Sequence, residues 1–216
     1  MIDNRLKSLA KYVNVSDKVI DIGCDHALLD IYLIKNNILN NIIVSDISIN
    51  ALNQGIKNIK KYNLSNKIIT RCGNGLEVLD NSDNINTIII SGMGTNTILK
   101  ILENDYLNKV NKMIIQSNND YYELRKNIVA KGFLIENEEA IIINNKLYIN
   151  IVFIRGNKDY KESELKYGTN TMINKEIYYK RLIEKNIDIR NKVSNKKREY
   201  ELTKEINYLK EQIKDN

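Results

Sequence analysis

The sequence predicts an α/β protein: an open, mostly parallel sheet ending in an antiparallel hairpin, followed by a C-terminal α-helical coiled-coil hairpin. Three observations carry this. Short β-branched runs alternate with helical patterns from Val19 to about Phe153, as in successive βαβ units with right-handed crossovers. Glycine, with nine in 216 residues, concentrates directly after those runs. Beyond Phe153 the runs cease and a charged, helix-periodic segment takes over.

The elements follow in order. Leu6, Leu9, Ala10 and Val13 fall at i, i+3, i+4 and i+7, one apolar helix face before the sheet. The strand runs are Val19–Ile22, Ile42–Ser45, Ile68–Arg71, Thr87–Ile90 and Lys112–Gln116, with helical stretches such as Ala51–Tyr62 and Asn96–Glu103 between them. Ala140–Ile143 and Leu147–Ile154, joined by Asn144-Asn145-Lys146, read as a hairpin. In the last segment Leu202, Ile206, Leu209 and Ile213 follow a coiled-coil seam. Ile173, Ile177, Leu182, Ile183 and Ile187 suggest its partner helix, with a turn near Asn191–Lys197. The division falls at residue 158: an α/β domain over 1–158 and a helical domain over 159–216.

Composition bounds the class. Hydrophobic residues make up 43%, enough for a sizeable core. No run of about 18 apolar residues marks a membrane helix, and the polar start Met1-Ile2-Asp3-Asn4-Arg5 does not read as a signal peptide. Two cysteines, Cys24 and Cys72, make no disulfide framework, and no Cys/His spacing suggests a metal. A cytoplasmic, metal-free protein is expected. The net charge is +6, compatible with a nucleic-acid partner, but an Asn/Ile/Lys-rich chain without proline inflates Lys by coding bias. Tyr160–Asn216 holds 14 Lys/Arg and 10 Asp/Glu, net +4.

Five glycines sit at predicted strand ends: Gly23, Gly73, Gly75, Gly92 and Gly94. In an open parallel sheet, ligands bind outside the carboxyl ends of the strands. Asp21-Ile22-Gly23-Cys24-Asp25-His26-Ala27 closes the first strand, and Asp46 closes the second, where an acid can hold ribose hydroxyls. A dinucleotide would need Gly-x-Gly-x-x-Gly, but Asp25 and Leu28 occupy the second and third glycine positions. Asp25 would set a carboxylate against a pyrophosphate, whereas it tolerates the cationic sulfonium of S-adenosylmethionine. Asn74, in Gly73-Asn74-Gly75-Leu76, could pair with an adenine amino group or simply form a turn. Ser91-Gly92-Met93-Gly94 should face the transferred group. The expected cofactor contacts are Asp21, Gly23, Asp46, Asn74, Gly75, Gly92 and Met93. His26 is a catalytic candidate, or a residue that packs locally. Cys24 and Cys72, two strands apart, read as packing residues.

These segments, with Arg5-Leu6-x-x-Leu9-Ala10 and Gln116-Ser117-Asn118, resemble the bacterial TrmK family over nearly the whole chain. The resemblance implies a Rossmann-like class I methyltransferase domain with a helical coiled-coil appendage, using S-adenosylmethionine to methylate N1 of adenine 22 in the D-arm of tRNA. Three positions depart from the family pattern: Asn74 for Asp, Thr95 for the last Gly of Gly-Met-Gly-Gly, and Ser117 for the Pro of Gln-Pro-Asn.

Neutral adenine has a free N1 lone pair, so the reaction needs positioning rather than a general base. Asp25 is the candidate to stabilise the base as it becomes cationic. The Watson–Crick edge must leave its pairing, and Tyr12 and Tyr32 are possible stacking partners. Lys196-Lys197-Arg198, the densest basic run, is the candidate RNA contact. A monomer is expected. Two alternatives stand: a methyltransferase for another acceptor, or a non-catalytic RNA-binding module on the same fold.

Overall fold

A computed structural model of the chain describes residues 2–214. One seven-stranded sheet is built from β1 (Val19–Ile22), β2 (Ile42–Asp46), β3 (Ile68–Cys72), β4 (Thr87–Met93), β5 (Lys112–Ser117), β6 (Phe133–Ile143) and β7 (Lys146–Arg155). Its order is β3-β2-β1-β4-β5-β7-β6. The first five strands run parallel, and β7 and β6 are antiparallel. The strand order reverses between β1 and β4, which opens the ligand edge there.

Helices cover both faces: α1 (Asn4–Ala10), α2 (Leu28–Lys35), α3 (Ile49–Lys61), α4 (Thr95–Ile101) and α5 (Tyr121–Ala130). Strands buried on both sides need continuous apolar runs. Ile88 and Ile90 enter one core while Ile89 between them enters the other, beside Val19, Val44 and Ile114. The same alternation turns Asp21, Gln116 and Asn150 towards α1 and α2.

The hairpin is tighter and longer than the sequence suggests. Its turn has two residues, Asn144 and Asn145, both at positive φ (50° and 61°), the geometry of a type I′ turn that Asn tolerates. Strand β6 begins at Phe133 and shifts register between Ile135 and Asn137.

Three helices follow: α6 (Glu162–Tyr167), α7 (Lys175–Arg190) and α8 (Lys196–Lys214). On α8, Leu202, Ile206 and Leu209 are buried, as the seam predicts. The α7 stripe needs correction. Its buried residues are Tyr178, Tyr179 and Asn186, whereas Ile173 precedes the helix, is 47% exposed and bridges to Glu139. The reason is that α7 faces the α/β body as well as α8. Tyr178 meets Tyr121 edge-on at 6.0 Å, and Tyr179 meets Tyr167 at 6.5 Å.

The core does not stop at residue 158. Tyr167, Met172, Tyr178, Tyr179 and Leu209 belong to the same apolar cluster as Ile90 and Phe153. Arg125 and Glu138, 0% and 1% exposed, pair at 2.5 Å. Glu138 also accepts from the Thr169 N–H at 2.7 Å, and Arg125 donates to the Leu165 carbonyl at 3.1 Å. No helix among the described residues is long and apolar enough to cross a membrane.

Candidate active site

The loop after β1 is shaped by backbone rather than side chains. Gly23 has φ +79°, and a Cβ there would lie 2.1 Å from Met93 Cε. Asp25 and Ala27 also take left-handed conformations (φ 47° and 53°), uncommon for residues with a Cβ and typical of strained functional turns. Gly55 on α3 lets this loop pack down, since a Cβ there would sit 3.0 Å from the Asp25 carbonyl oxygen. Asn58 Nδ2 then donates to the His26 carbonyl at 2.9 Å.

A cavity of about 520 Å³ opens over this loop, at the ends of β1, β2 and β4. Asp21, Gly23, Asp25 and His26 line it from the first strand and loop, Asp46 from the second strand, and Gly92 and Met93 from the fourth. An adjoining cavity of about 240 Å³ shares Gly23, Asp46 and Met93 and extends to Asn74 and Gly75. The two form one trough across the strand ends, so the nine predicted cofactor and catalytic residues converge on it. The Asn74 side-chain amide donates to Glu77 Oε1 at 2.9 Å, and Asp46 Oδ1 accepts from the Ser48 N–H at 2.8 Å. Asp25 and His26 stand 3.6 Å apart, with side chains 67% and 52% exposed. Ile47 beside Asp46 is 72% exposed and lines the smaller cavity.

Beneath the trough lies an acid pair. Asp30 on α2 is 0% exposed, and neither of its oxygens has a hydrogen-bond partner among the described residues. The Asp21 carboxyl is its acidic neighbour, and two acids buried together favour keeping a proton on one of them. Burial pushes Asp21 up to about 7, against the pull of Asp30 and Arg5, and Asp46 adds to the rise. Burial also raises Asp30 well above its ordinary range. Cys24 is buried among these acids and its thiol is pushed up, by burial first, so it is a packing residue and a poor nucleophile. Cys72 is exposed.

Two departures from the expected motifs touch each other. The Thr95 hydroxyl lies 2.9 Å from the Ser117 hydroxyl and 2.6 Å from the Asn119 carbonyl oxygen, to which it donates. Asn118 Nδ2 donates to the Gly92 carbonyl at 2.6 Å. These contacts hold the β4 and β5 end loops together at the mouth of the trough.

The tyrosine expectation is corrected. Tyr12 donates to Glu139 Oε2 at 3.0 Å, and Tyr32 lies in a separate hollow with Tyr62 and Lys35; neither lines the trough. Aromatic rings do gather in a larger cleft of about 620 Å³ between Asn118–Tyr122 and the C-terminal helices. Tyr121, Tyr122, Lys166, Arg181, Lys185 and Arg198 line it. Lys196 and Lys197 are exposed on the first turn of α8. Arg5, Asp30 and Ile47 were assigned no role by sequence reasoning. The only signal available was indirect: an apolar residue directly after a strand-end acid, and an arginine on an otherwise apolar helix face.

The fold, with a glycine-lined trough at its switch point and an acid at the end of β2, defines a methyltransferase domain, and a profile of the methyltransferase-domain family matches residues 2–151. The structure of M. capricolum TrmK in complex with S-adenosyl-homocysteine superposes with a TM-score of 0.87 at 33% identity, covering 99% of this chain and 98% of that one. The chain belongs to the TrmK family. Streptococcus pneumoniae Sp1610, solved with S-adenosyl-L-methionine, superposes with a TM-score of 0.88 at 28% identity over 98% of this chain and 99% of that one. The tRNA (adenine(22)-N(1))-methyltransferase of Bacillus subtilis is 28% identical over 160 residues, 73% of this chain and 67% of the relative. The chain spans about two thirds of the curated relatives it matches, 67% and 64%.

Proposed function

We propose that the protein transfers the methyl group of S-adenosylmethionine to N1 of adenine 22 in tRNA. The observation that carries this reading is the strand-end trough in a chain of this family. The trough suits a nucleoside with a cationic tail. Asp46 would take the ribose hydroxyls, Asn74 and Gly75 the adenine, and Ile47 would cover the ring face, which accounts for an isoleucine left in water. Asp21, Gly23, Gly92 and Met93 would border the methionine portion. No pyrophosphate fits against Asp25.

S-adenosylmethionine supplies an electrophilic methyl group, and the adenine N1 lone pair needs no base to reach it. The protein's part is to hold the base and balance its new charge. Asp25 is placed for that, with His26 beside it as a second polar group at the mouth. The cleft lined by Tyr121, Tyr122 and four cations would take the RNA beside the target base. It adjoins the trough through the Asn118–Gly92 hydrogen bond.

Lys196, Lys197 and Arg198 extend this surface. Three cations in the first turn of a helix oppose its dipole, by about 0.3–1 kcal/mol each. Helix stability therefore does not explain them, and phosphate contact does. On this reading residues 1–158 hold the cofactor and share the RNA cleft through Tyr121 and Tyr122, and 159–216 supply its cations, in a monomer acting in the cytoplasm. The test is to incubate unmodified tRNA with labelled S-adenosylmethionine, digest it and identify the nucleoside. Labelled 1-methyladenosine that vanishes when position 22 is changed supports the reading; label elsewhere, or none, overturns it.

A further inference from the structure

From Ile47 to Leu76 the chain carries no acid, although 27 of its 216 residues are Asp or Glu. It carries five cations there: Lys57, Lys60, Lys61, Lys67 and Arg71. Coding bias inflates Lys throughout a chain, but it does not clear acids from one stretch. Among the described residues only Arg71 of these five has an acidic partner, Asp83 at 2.6 Å. On α7 and α8, by contrast, Lys180, Arg181 and Arg198 pair with Glu176, Glu184 and Glu201. Positive charge that is partly neutralised on the C-terminal helices stays free on and after α3.

These lysines adjoin a hollow of about 280 Å³ between α1, α2 and the end of α3. Lys7, Tyr32, Lys35 and Tyr62 line it, and Lys60 and Lys61 directly precede Tyr62 in the last turn of α3. Lys35 Nζ stands 4.5 Å from the Tyr62 ring centroid, and Tyr62 is 40% exposed. Leu28 lines both the hollow and the trough, next to Asp25 and His26. The hollow therefore begins at the mouth of the trough and follows α2, which spans about 12 Å. It lies on the sheet face opposite the C-terminal helices: Leu29, Ile34 and Ile59 belong to one core, Tyr178 and Leu209 to the other. Helix dipoles account for lysines in last turns, but not for Lys57 and Lys67, nor for tyrosine rings left in contact with water.

Rings flanked by unpaired lysines match a nucleotide, with the base on a ring and the phosphate on an ammonium. We propose that this hollow is a second RNA contact, which holds a nucleotide flanking the target adenine, its base against Tyr62 and its phosphates at Lys7 and Lys35; this rests on the reading above that tRNA is the substrate. The tRNA then straddles the strand ends, with the target base in the trough between two basic surfaces.

Titrations of the full chain with unmodified tRNA across a salt series test this. Lys7→Gln combined with Lys35→Gln should weaken tRNA binding and lower the salt slope by about 1–2. Tyr62→Leu should weaken it by about 5- to 100-fold, and Tyr62→Phe, which keeps the ring, should stay within about twofold of wild type. Affinity for S-adenosylhomocysteine should not move in any of them, which also shows that they are folded. Wild-type affinity and slope in the lysine variant, or equal behaviour of Tyr62→Leu and Tyr62→Phe, overturns the proposal. So does loss of binding to phosphatidylserine vesicles with tRNA binding intact, which would make this face a membrane contact. If the wild-type chain binds no tRNA, the substrate reading fails and this contact with it; wild-type binding with unchanged variants removes the contact alone.

Discussion

Asp25 sits at positive φ, and that decides how its role should be probed. Alanine there would add backbone strain of its own, whereas asparagine tolerates the left-handed region. Asp25→Asn removes only the charge. It should bind S-adenosylhomocysteine within a few-fold of wild type yet transfer methyl at least about tenfold more slowly in a single turnover on tRNA. A wild-type rate would take Asp25 out of the chemistry. Asp30 makes a different prediction, one of pH. The buried Asp21–Asp30 pair keeps a proton that the unfolded chain would release above about pH 4. The folded state therefore binds more protons between about pH 4 and 7, and stability falls as pH rises through that window. The charges facing the pair are Arg5 on α1 and Asp46 at the end of β2, and the neutral Cys24 thiol is its other titratable neighbour. Asp30→Asn supplies the donor without a proton, so it should raise Tm above pH 7 and flatten the slope below it. Thermal melts over a pH series check this, and a steeper slope would count against the shared proton.

At the scale of elements, the β4 and β5 end loops are coupled through Thr95 and Ser117. Both residues differ from the family pattern, and each hydroxyl is the other's partner. In a double-mutant cycle, Thr95→Val and Ser117→Ala should each destabilise by about 1–3 kcal/mol. The double variant should cost less than the sum, with a coupling of about 0.5–3 kcal/mol; strict additivity in urea melts would refute the pairing. The strands that build the site were legible because central parallel strands are short β-branched runs: Val19–Ile22, interrupted only by Asp21, and Thr87–Ile90 read directly. The start of β6 was not, because Glu136, Asn137, Glu138 and Glu139 look like a solvated loop. Two of them are buried, Glu138 against Arg125 and Glu139 against Lys11. Pairing partners that lie far off in sequence make a polar stretch into a strand, and no local pattern carries that. The glycines foretold the trough for a related reason: they report local backbone shape. Arg5, Asn150 and Gln116 meet only in the folded chain.

At the scale of the whole molecule, the basic cleft and the α8 terminus form one surface beside the trough. Reversing Lys196, Lys197 and Arg198 to Glu should weaken tRNA binding and flatten its dependence on salt, since fewer counterions are released. S-adenosylmethionine affinity should not move. Titrations across a salt series decide it: a wild-type slope would leave these cations as a solvated face. The Arg125–Glu138 pair has a consequence of another kind. It joins α5 and β6 to the chain that leads into α7, and Leu209 of α8 lies in the same core. The appendage and the sheet are thus one cooperative unit. A calorimetric scan should show a single transition with matching calorimetric and van't Hoff enthalpies. Arg125→Met, which leaves Glu138 charged and alone, should lower stability by about 3–5 kcal/mol and split that transition in two, the helices melting first.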